Sequence, residues 1–275
     1  MSFENKVVWI TGASSGIGRG MAEAFQAAGA WVIASGRNQA ALSEVVGSGG
    51  NRTRALPFEA TDIEALPGLV ERVIADAGRI DMLVNNAGIS QRDLAVDTEL
   101  HVYRTIMEVD FFAPVALTKA VLPHMLARGE GHVAAVASVA GKVGSPQRTG
   151  YSAAKHAVMG FYDALRTEVE HQGVRVSTIV PGFVRTEIGA RALRGDGQVK
   201  GAGDDDVDAG ITPAEAAAII LPALAAGQRE IPVGAANGME MALLDLKRQD
   251  PERLFDMMGQ FGAAVVQKFA EGRAR

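Results

Sequence analysis

Short apolar runs alternate along the chain with longer stretches in which apolar residues recur every three or four positions. The apolar runs predict strands at residues 7–10, 31–34, 54–58, 82–84, 133–137, 174–180 and 230–233. The longer stretches predict helices at 17–28, 39–46, 63–77, 98–126, 151–172 and 212–226, with 98–126 interrupted near its start. Runs such as 7–10 and 133–137 are apolar throughout, as burial on both faces of a parallel sheet requires.

This alternation predicts the α/β fold class: a doubly wound parallel sheet with helices on both faces, the three-layer α/β/α arrangement of the Rossmann fold. We expect residues 1–275 to form a single domain with two additions. One is a loop at about 187–211, whose part 195–210 holds five glycines and five aspartates and is either a flexible surface segment or a mobile lid over a ligand. The other is a helical C-terminal extension at about 238–275.

The helix predicted at 212–226 has a clear start signal. Thr212 is a suitable N-cap, Pro213 falls in the first turn, and Glu215 follows the cap by three residues. Threonine and glutamate at this spacing can each accept a hydrogen bond from the other's backbone N–H group, which is the capping box.

Composition argues against several classes of function. The formal net charge of −5 argues against nucleic-acid binding, and the absence of cysteine excludes disulfide scaffolds and thiolate metal sites. The five histidines lack metal-ligand spacing, so we expect no metal site. No run of about 18 apolar residues occurs and the start of the chain does not resemble a secretory signal. We therefore expect a cytoplasmic protein that does not span a membrane.

The first chemical motif lies between the first predicted strand and the first predicted helix, where Gly12, Gly16 and Gly18 follow the spacing Gly-x-x-x-Gly-x-Gly. Gly12 permits a tight turn, Gly16 lets the backbone approach a pyrophosphate, and Gly18 lets the helix pack on the strand. The N–H groups at the start of the helix favour an anion. The motif therefore predicts a dinucleotide site, and the segment 85–88 (Asn-Asn-Ala-Gly) follows the fourth strand at the same edge of the sheet.

The second motif places a phenol and an ammonium group on one face of a helix. Tyr151 and Lys155 are four residues apart, and Ser138 follows the fifth predicted strand. The positive charges of Lys155 and of an oxidised nicotinamide would favour the phenolate form of Tyr151. Tyr151 could then exchange a proton with a substrate oxygen while Ser138 hydrogen-bonds the same oxygen.

In this order and combination, the motifs resemble the short-chain dehydrogenase/reductase family over roughly residues 5–190. Residues 89–92 and 112–120 resemble its branch of retinol- and steroid-type dehydrogenases. The resemblance implies that Ser138, Tyr151 and Lys155 are catalytic. It also implies that Asp62 contacts the adenine and that the Pro-Gly segment 181–186 contacts the nicotinamide. The implied cofactor-binding residues are Gly12, Ser14, Ser15, Ile17, Gly18, Arg37, Asn38, Asp62, Ile63, Asn86, Ala87, Gly88, Tyr151, Lys155, Pro181, Gly182, Val184 and Thr186.

One position departs from the family's pattern. Asp110 stands where the family usually has an asparagine that contributes to a water-mediated proton relay reaching the lysine. The resemblance therefore implies a catalytic part for Asp110, in a relay altered by a negative charge near Lys155 or by a proton carried on the carboxyl group. The alternative is that Asp110 is a solvated or helix-bending residue with no catalytic part.

The end of the second predicted strand bears on the choice of cofactor. An acidic residue there normally bonds the ribose 2′-hydroxyl of NAD, whereas an arginine accommodates the 2′-phosphate of NADP. Residues 34–38 include Arg37 and contain no acid. We therefore predict NADP (NADPH), the alternative being that Arg37 is a surface charge and that NAD is tolerated.

These observations predict an NADP-dependent oxidoreductase that interconverts ketones and secondary alcohols. No arginine cluster is apparent around the predicted pocket, which favours hydrophobic, bulky substrates over phosphorylated or dicarboxylate ones. The residues expected to line that pocket are Val139, Val143, Phe183, Val184, Ile188 and Leu193.

Two alternatives differ in function. One is a non-catalytic NADP(H)-binding regulator on the same fold. The other is a sugar-nucleotide epimerase or dehydratase, whose glycine spacing is commonly Gly-x-x-Gly-x-x-Gly and differs from the spacing seen here. The family resemblance also implies a homodimer or homotetramer, with the long helices 98–126 and 151–172 between subunits.

Overall fold

A computed structural model describes residues 3–273, and in it seven strands form one parallel sheet. The strands are β1 (Val7–Thr11), β2 (Trp31–Gly36), β3 (Thr53–Pro57), β4 (Met82–Asn85), β5 (Gly131–Val136), β6 (Val174–Pro181) and β7 (Glu230–Val233). Their order across the sheet is β3-β2-β1-β4-β5-β6-β7, and every neighbouring pair is parallel. Because the order reverses between β1 and β4, a crevice opens beyond the carboxyl ends of these two strands.

Ten α-helices connect and cover the strands within the described residues. They are α1 (Gly16–Ala27), α2 (Gln39–Gly49), α3 (Leu66–Ala77), α4 (Leu100–Met107), α5 (Ala113–Arg128), α6 (Thr149–Val169), α7 (Asp205–Asp208), α8 (Pro213–Ala225), α9 (Met239–Gln249) and α10 (Pro251–Arg273). Helices α1, α2 and α8 pack on one face of the sheet, and α3, α5 and α6 pack on the other. The predicted three-layer, doubly wound α/β fold is confirmed.

The two packed faces explain the apolar strands. In β1, Val7 and Trp9 pack under α3, α5 and α6, while Val8 and Ile10 pack under α1, α2 and α8. Successive side chains of a strand point to opposite faces, so a strand covered on both sides needs an apolar residue at every position. The predicted strands differ from the observed ones by no more than two residues at either end.

The long helical stretch predicted at 98–126 is interrupted nearer its middle than its start. Helices α4 and α5 are joined by a π-helical segment, Glu108–Phe112. A π-helical turn holds more residues than an α-helical turn, and such turns are frequent at functional sites. Asp110 lies at the centre of this segment and is 1% exposed, so the alternative of a solvated Asp110 is wrong.

The segment predicted as a loop at 187–211 is held by backbone contacts. Leu193 forms bridges with Gln91 and with Val199, and α7 lies near the end of the segment. The C-terminal extension consists of α9 and α10, and Leu254 of α10 is buried in the core. No helix between residues 3 and 273 combines the length and the apolar character that a membrane crossing requires.

The start of α8 is as predicted. Thr212 Oγ1 accepts a hydrogen bond of 3.2 Å from the Glu215 N–H group, and the Glu215 carboxylate accepts one of 2.7 Å from the Thr212 N–H group. The capping box is therefore complete. It satisfies N–H groups that would otherwise have no partner at the helix start.

Candidate active site

A cleft of about 700 Å³ lies at the carboxyl ends of the strands, and the ends of β1 and β4 contribute to its lining. The predicted cofactor-binding residues that line it are Ser14, Ser15, Ile17, Arg37, Asn38, Asn86, Ala87, Gly88, Tyr151, Lys155, Pro181, Gly182, Val184, Thr186 and Gly12. The cleft is large enough for a dinucleotide and a small substrate together. The sequence motifs thus converge on one cavity.

The glycine-rich turn forms the floor of the cleft. Gly12 and Gly16 have φ angles of +65° and +54°, which favour glycine. A Cβ atom at Gly12 would lie 2.8 Å from Asn86 Nδ2, and one at Gly16 would lie 2.9 Å from Thr186 Cγ2. Gly18 lies outside the cleft lining and instead packs the start of α1 against the Gly12 carbonyl. Bare backbone followed by a helix N-terminus fits the pyrophosphate of a dinucleotide.

The Asn86 side chain holds this turn in place. Its amide donates to the Thr11 and Gly12 carbonyl oxygens at 2.9 and 3.2 Å. In return, the Thr11 hydroxyl accepts from the Asn86 and Ala87 N–H groups. The end of β4 is thereby tied to the end of β1. Asn86 lines the cleft, but its side-chain amide already donates its hydrogen bonds to these two backbone carbonyl oxygens.

The end of β2 presents Arg37 to the cleft with its side chain 76% exposed. Its guanidinium lies 3.8 Å from the carboxylate of Glu59, which follows β3 and was missed in the sequence analysis. An acid directly after a parallel strand was the available signal. Asn38 lies beside Arg37 and accepts a hydrogen bond from the Ala41 N–H group, so it caps α2.

The structure does not bring Asp62 and Ile63 to the cleft. Phe58, Glu59 and Ala60 line this edge, whereas Asp62 and Ile63 do not belong to the lining within the described chain. A 3₁₀ helix, Ile63–Ala65, begins directly after Asp62, and Ile63 is 42% exposed. The adenine contact expected of Asp62 stays a prediction.

Tyr151, Lys155 and Ser138 meet in the cleft. Tyr151 and Lys155 lie one turn apart on α6, both are buried, and the Lys155 Nζ atom is 5.6 Å from the centre of the Tyr151 ring. Nζ also donates a 3.1 Å hydrogen bond to the Val136 carbonyl oxygen at the end of β5. Ser138 follows β5, accepts from the Ala140 N–H group at 3.1 Å and donates to the Pro181 carbonyl oxygen at 3.4 Å.

A buried glutamine fixes the start of α6, and sequence reasoning did not assign it this role. Gln91 Oε1 accepts a 2.7 Å hydrogen bond from the Gly150 N–H group, beside Tyr151. Its amide donates a 2.7 Å bond to the Thr98 hydroxyl, before α4. Gln91 therefore links the loop after β4 to the helix that carries the predicted catalytic residues.

Asp110 reaches the site through Lys155. Its Oδ2 atom is 3.1 Å from Lys155 Nζ, and its Oδ1 atom accepts a 2.8 Å hydrogen bond from the Ile89 N–H group. Burial raises the pKa of Asp110, although Lys155 and the Ile89 N–H group oppose the rise. Burial lowers the pKa of Lys155, but its electrostatic interactions with Asp110 and Tyr151 outweigh burial and the net pKa is raised. Asp110 does not line the cleft, so it is a positioning residue here.

The far end of the cleft is largely apolar. All six residues expected around the substrate line this cleft: Val139, Val143, Phe183, Val184, Ile188 and Leu193. Met239 and Leu243 of α9 complete the wall, so the C-terminal extension contributes to the pocket. No group of three or more His, Asp or Glu side chains that could hold a metal ion occurs among residues 3–273.

Besides Arg37, three arginines line the cleft, which the sequence analysis did not expect. Arg92 follows β4, Arg148 precedes α6, and Arg191 lies in the segment 187–211. Arg92 makes an ion pair with Asp204, and Arg191 makes one with Glu187. The three residues are far apart in sequence, and the fold places all of them on the lining of one cleft.

Comparison with known proteins agrees with this geometry. A family model described as short chain dehydrogenase matches residues 6–196. The chain is 39% identical over 263 residues to the Bos taurus protein named dehydrogenase/reductase SDR family member 7B, covering 92% of this chain and 80% of the relative. The family predicted from the motifs is therefore confirmed.

Two solved structures share the fold. A short-chain dehydrogenase from Burkholderia cenocepacia in complex with NADP is similar with a TM-score of 0.78 and 26% identity, covering 94% of this chain and 99% of that one. A short-chain dehydrogenase/reductase from Burkholderia phymatum in complex with NAD has a TM-score of 0.79 and 23% identity, covering 92% and 96%. The fold is thus compatible with either dinucleotide. From its motifs, its sheet order and these matches together, we conclude that the chain belongs to the short-chain dehydrogenase/reductase family of oxidoreductases, which use NAD(P).

Proposed function

We propose that this chain is an NADP(H)-dependent oxidoreductase that interconverts ketones and secondary alcohols. The observation that carries the proposal is the meeting of Tyr151, Lys155 and Ser138 in the same cleft as the glycine-rich turn. The turn at 12–18 and the segment 181–186 are the parts of the chain that would hold the dinucleotide. When bound, the nicotinamide supplies hydride exchange with the substrate carbon.

The side chains around the substrate oxygen transfer its proton and stabilise the charges that form during the reaction. The Tyr151 hydroxyl gives its proton to the carbonyl oxygen during reduction and takes a proton from the alcohol during oxidation. The positive charge of Lys155 stabilises the phenolate that exists between these proton transfers. Ser138 donates to the same oxygen. Its present bond to the Pro181 carbonyl is 3.4 Å long and is easily exchanged for a substrate oxygen.

The proposal of NADP(H) rather than NAD(H) rests on the end of β2. Arg37 lines the cleft, is largely exposed, and carries a guanidinium that suits a 2′-phosphate. The segment 34–38 supplies no carboxylate for a ribose 2′-hydroxyl. Glu59 competes for Arg37 at 3.8 Å, a separation at which a surface ion pair contributes little.

The experiment that tests the proposal is NADPH oxidation with a panel of aliphatic, aryl and polycyclic ketones. Tyr151→Phe should lower kcat about 10²- to 10⁴-fold and leave the Kd for NADPH nearly unchanged, because it removes the proton donor and keeps the ring. A matched control is Tyr162→Phe. Tyr162 is a buried phenol bonded to Asn85 and Thr118, so its loss should reduce stability and not the catalytic rate. NADPH binding without turnover of any ketone would favour the regulator instead.

We also propose that the chain forms a homodimer or homotetramer through the long helices, as its family resemblance implies. Leu100 of α4 is 63% exposed and Phe112 of the π-helical segment is 44% exposed. Burial of these side chains between subunits would remove apolar surface from water. Light scattering of the purified protein measures the number of chains, and a monomer would contradict the proposal.

A further inference from the structure

The substrate end of the cleft contains a guanidinium without a committed partner. Arg148 precedes α6 by one residue, lines the cleft and has a side chain that is 21% exposed. Between residues 3 and 273 no side chain or carbonyl accepts a hydrogen bond from its guanidinium. Its contact with a carboxylate is a long one, 3.9 Å to Asp204 Oδ2.

That carboxylate already serves two other cations. Asp204 Oδ2 accepts a 2.7 Å hydrogen bond from Arg92 Nε, and Asp204 Oδ1 accepts a 2.5 Å bond from Lys200 Nζ. Arg92 Nη1 donates hydrogen bonds to the Ser90 hydroxyl at 2.6 Å and to the Gln91 carbonyl oxygen at 2.7 Å. Asp204 thus makes its short contacts with Arg92 and Lys200, and Arg148 reaches it only at 3.9 Å.

Electrostatics agrees with this geometry. Burial and the nearby Arg92 charge lower the pKa of Arg148, and the opposing interactions with Asp204, Tyr151 and Asp206 do not restore it. A largely buried cation without hydrogen bonds costs free energy unless an anion pairs with it. A guanidinium has a planar set of donors that matches a carboxylate or a phosphate.

Arg148 is also close to the chemistry. It lies three residues before Tyr151 and close enough for the two side chains to interact electrostatically. Arg148 does not belong to the glycine-rich turn between β1 and α1, where a dinucleotide pyrophosphate fits. Arg191 is a poorer anion receptor because it is 63% exposed and already paired with Glu187.

We infer that Arg148 binds an anionic group of the substrate, a carboxylate or a phosphate, near the carbonyl that Tyr151 protonates. The apolar wall that includes Val143 and Leu193 then holds an uncharged remainder. The substrate class is therefore amphipathic: an oxo acid or an oxo phosphate with an apolar chain. This inference rests on the proposed ketone–alcohol interconversion and adds a charge to the hydrophobic substrate expected from sequence.

Matched substrate pairs test it in the NADPH-loaded protein. One pair is a medium-chain oxo acid and its methyl ester, and the other is a long-chain hydroxyketone and its phosphate monoester. We expect kcat/KM to be at least about 10-fold higher for the charged member of one pair. Arg148→Gln should lower that value about 10- to 100-fold and change the neutral member less than about threefold, since a charge-assisted hydrogen bond contributes on this scale.

Two variants serve as controls. Arg148→Lys keeps the charge and should retain part of the preference for the anion. Arg229→Gln removes an arginine that pairs with Glu170 at the surface, away from the cleft, and should leave both members unchanged. Preference for either anion supports the inference, and the larger ratio shows whether carboxylate or phosphate is the natural group.

Two results would overturn the inference. One is equal kcat/KM for charged and neutral members in the unsubstituted protein. The other is an equal loss on both members in Arg148→Gln, which would assign Arg148 a structural role near Asp204. If no ketone is reduced at all, the proposed function fails separately. Calorimetry with decanoate and decanol then tests whether Arg148 binds an anion. A preference for decanoate that Arg148→Gln removes supports the anion site, and equal binding of the two ligands overturns it.

Discussion

The Nζ atom of Lys155 lies 3.1 Å from the Oδ2 atom of Asp110, and both side chains are buried. The family's usual asparagine would present an amide to the lysine, whereas this chain presents a carboxyl group. Burial raises the pKa of that carboxyl group against the opposing effect of Lys155. The pair therefore couples the protonation of the site to both the stability and the activity of the protein.

Stability should change with pH through Asp110. Because its pKa is raised by folding, the folded protein holds this proton to a higher pH than the unfolded chain. The free energy of unfolding contributed by Asp110 therefore falls as pH rises from about 4 through the folded-state pKa. Asp110→Asn removes this slope. Urea unfolding of both proteins between about pH 4 and pH 8 measures it, and a difference in stability that stays constant across this range would contradict the prediction.

The alkaline limb of the activity profile should move in the same variant. Burial alone lowers the pKa of Lys155, and the Asp110 charge is a main cause of the net rise. In Asp110→Asn the lysine should lose its proton at lower pH, so kcat should decline at lower pH as well. Profiles of kcat against pH for the two proteins check this. Superimposable alkaline limbs would mean that Lys155 does not control the rate there.

Cofactor preference should follow Arg37. Arg37→Asp removes the donor for a 2′-phosphate and adds a repulsive charge, so the Kd for NADPH should rise at least about tenfold while NADH binding improves. Glu59→Gln should tighten NADPH binding, because it removes a negative charge 3.8 Å from the guanidinium that would bind the 2′-phosphate. Fluorescence titration with both cofactors measures the ratios. An unchanged NADPH-to-NADH ratio in Arg37→Asp would argue against this site of discrimination.

The cap of α8 should affect stability and leave catalysis intact. Thr212→Ala removes the acceptor for the Glu215 N–H group and should lower the free energy of unfolding by about 1 kcal/mol. Thr212 does not line the cleft, so kcat for any substrate should stay near its original value. Urea unfolding and steady-state kinetics measure the two effects. A large fall in kcat without a loss of stability would show that α8 influences the site in an unforeseen way.

Much of the fold was predictable because each strand is packed on both faces. Val7, Val8 and Trp9 are consecutive apolar residues since helices cover both sides of β1. The start of α8 was predictable as well, because a capping box depends on residues three apart. These features are local or periodic, and a single sequence displays them directly.

Other features depend on distant parts of the chain. Arg92, Arg148 and Asp204 are separated by more than fifty residues at each step, and neither periodicity nor spacing connects them. Asp62 lies outside the cleft lining and directly before a 3₁₀ turn, a local backbone shape that the sequence pattern did not predict. In both cases the outcome depends on backbone geometry that residue types alone do not specify.

The number of residues in the π-helical segment Glu108–Phe112 determines the direction in which the Asp110 side chain points. Each residue of an α-helix advances the direction of its side chain by about 100°. Deleting one residue from the segment would turn it into regular α-helix and rotate Asp110 relative to α5 by roughly that angle. The carboxyl group would then leave Lys155 although every residue type in the site remained. A relative that lacks one residue in this segment would therefore lack the ion pair between Asp110 and Lys155. A comparison of the residue types in the site would not reveal that loss.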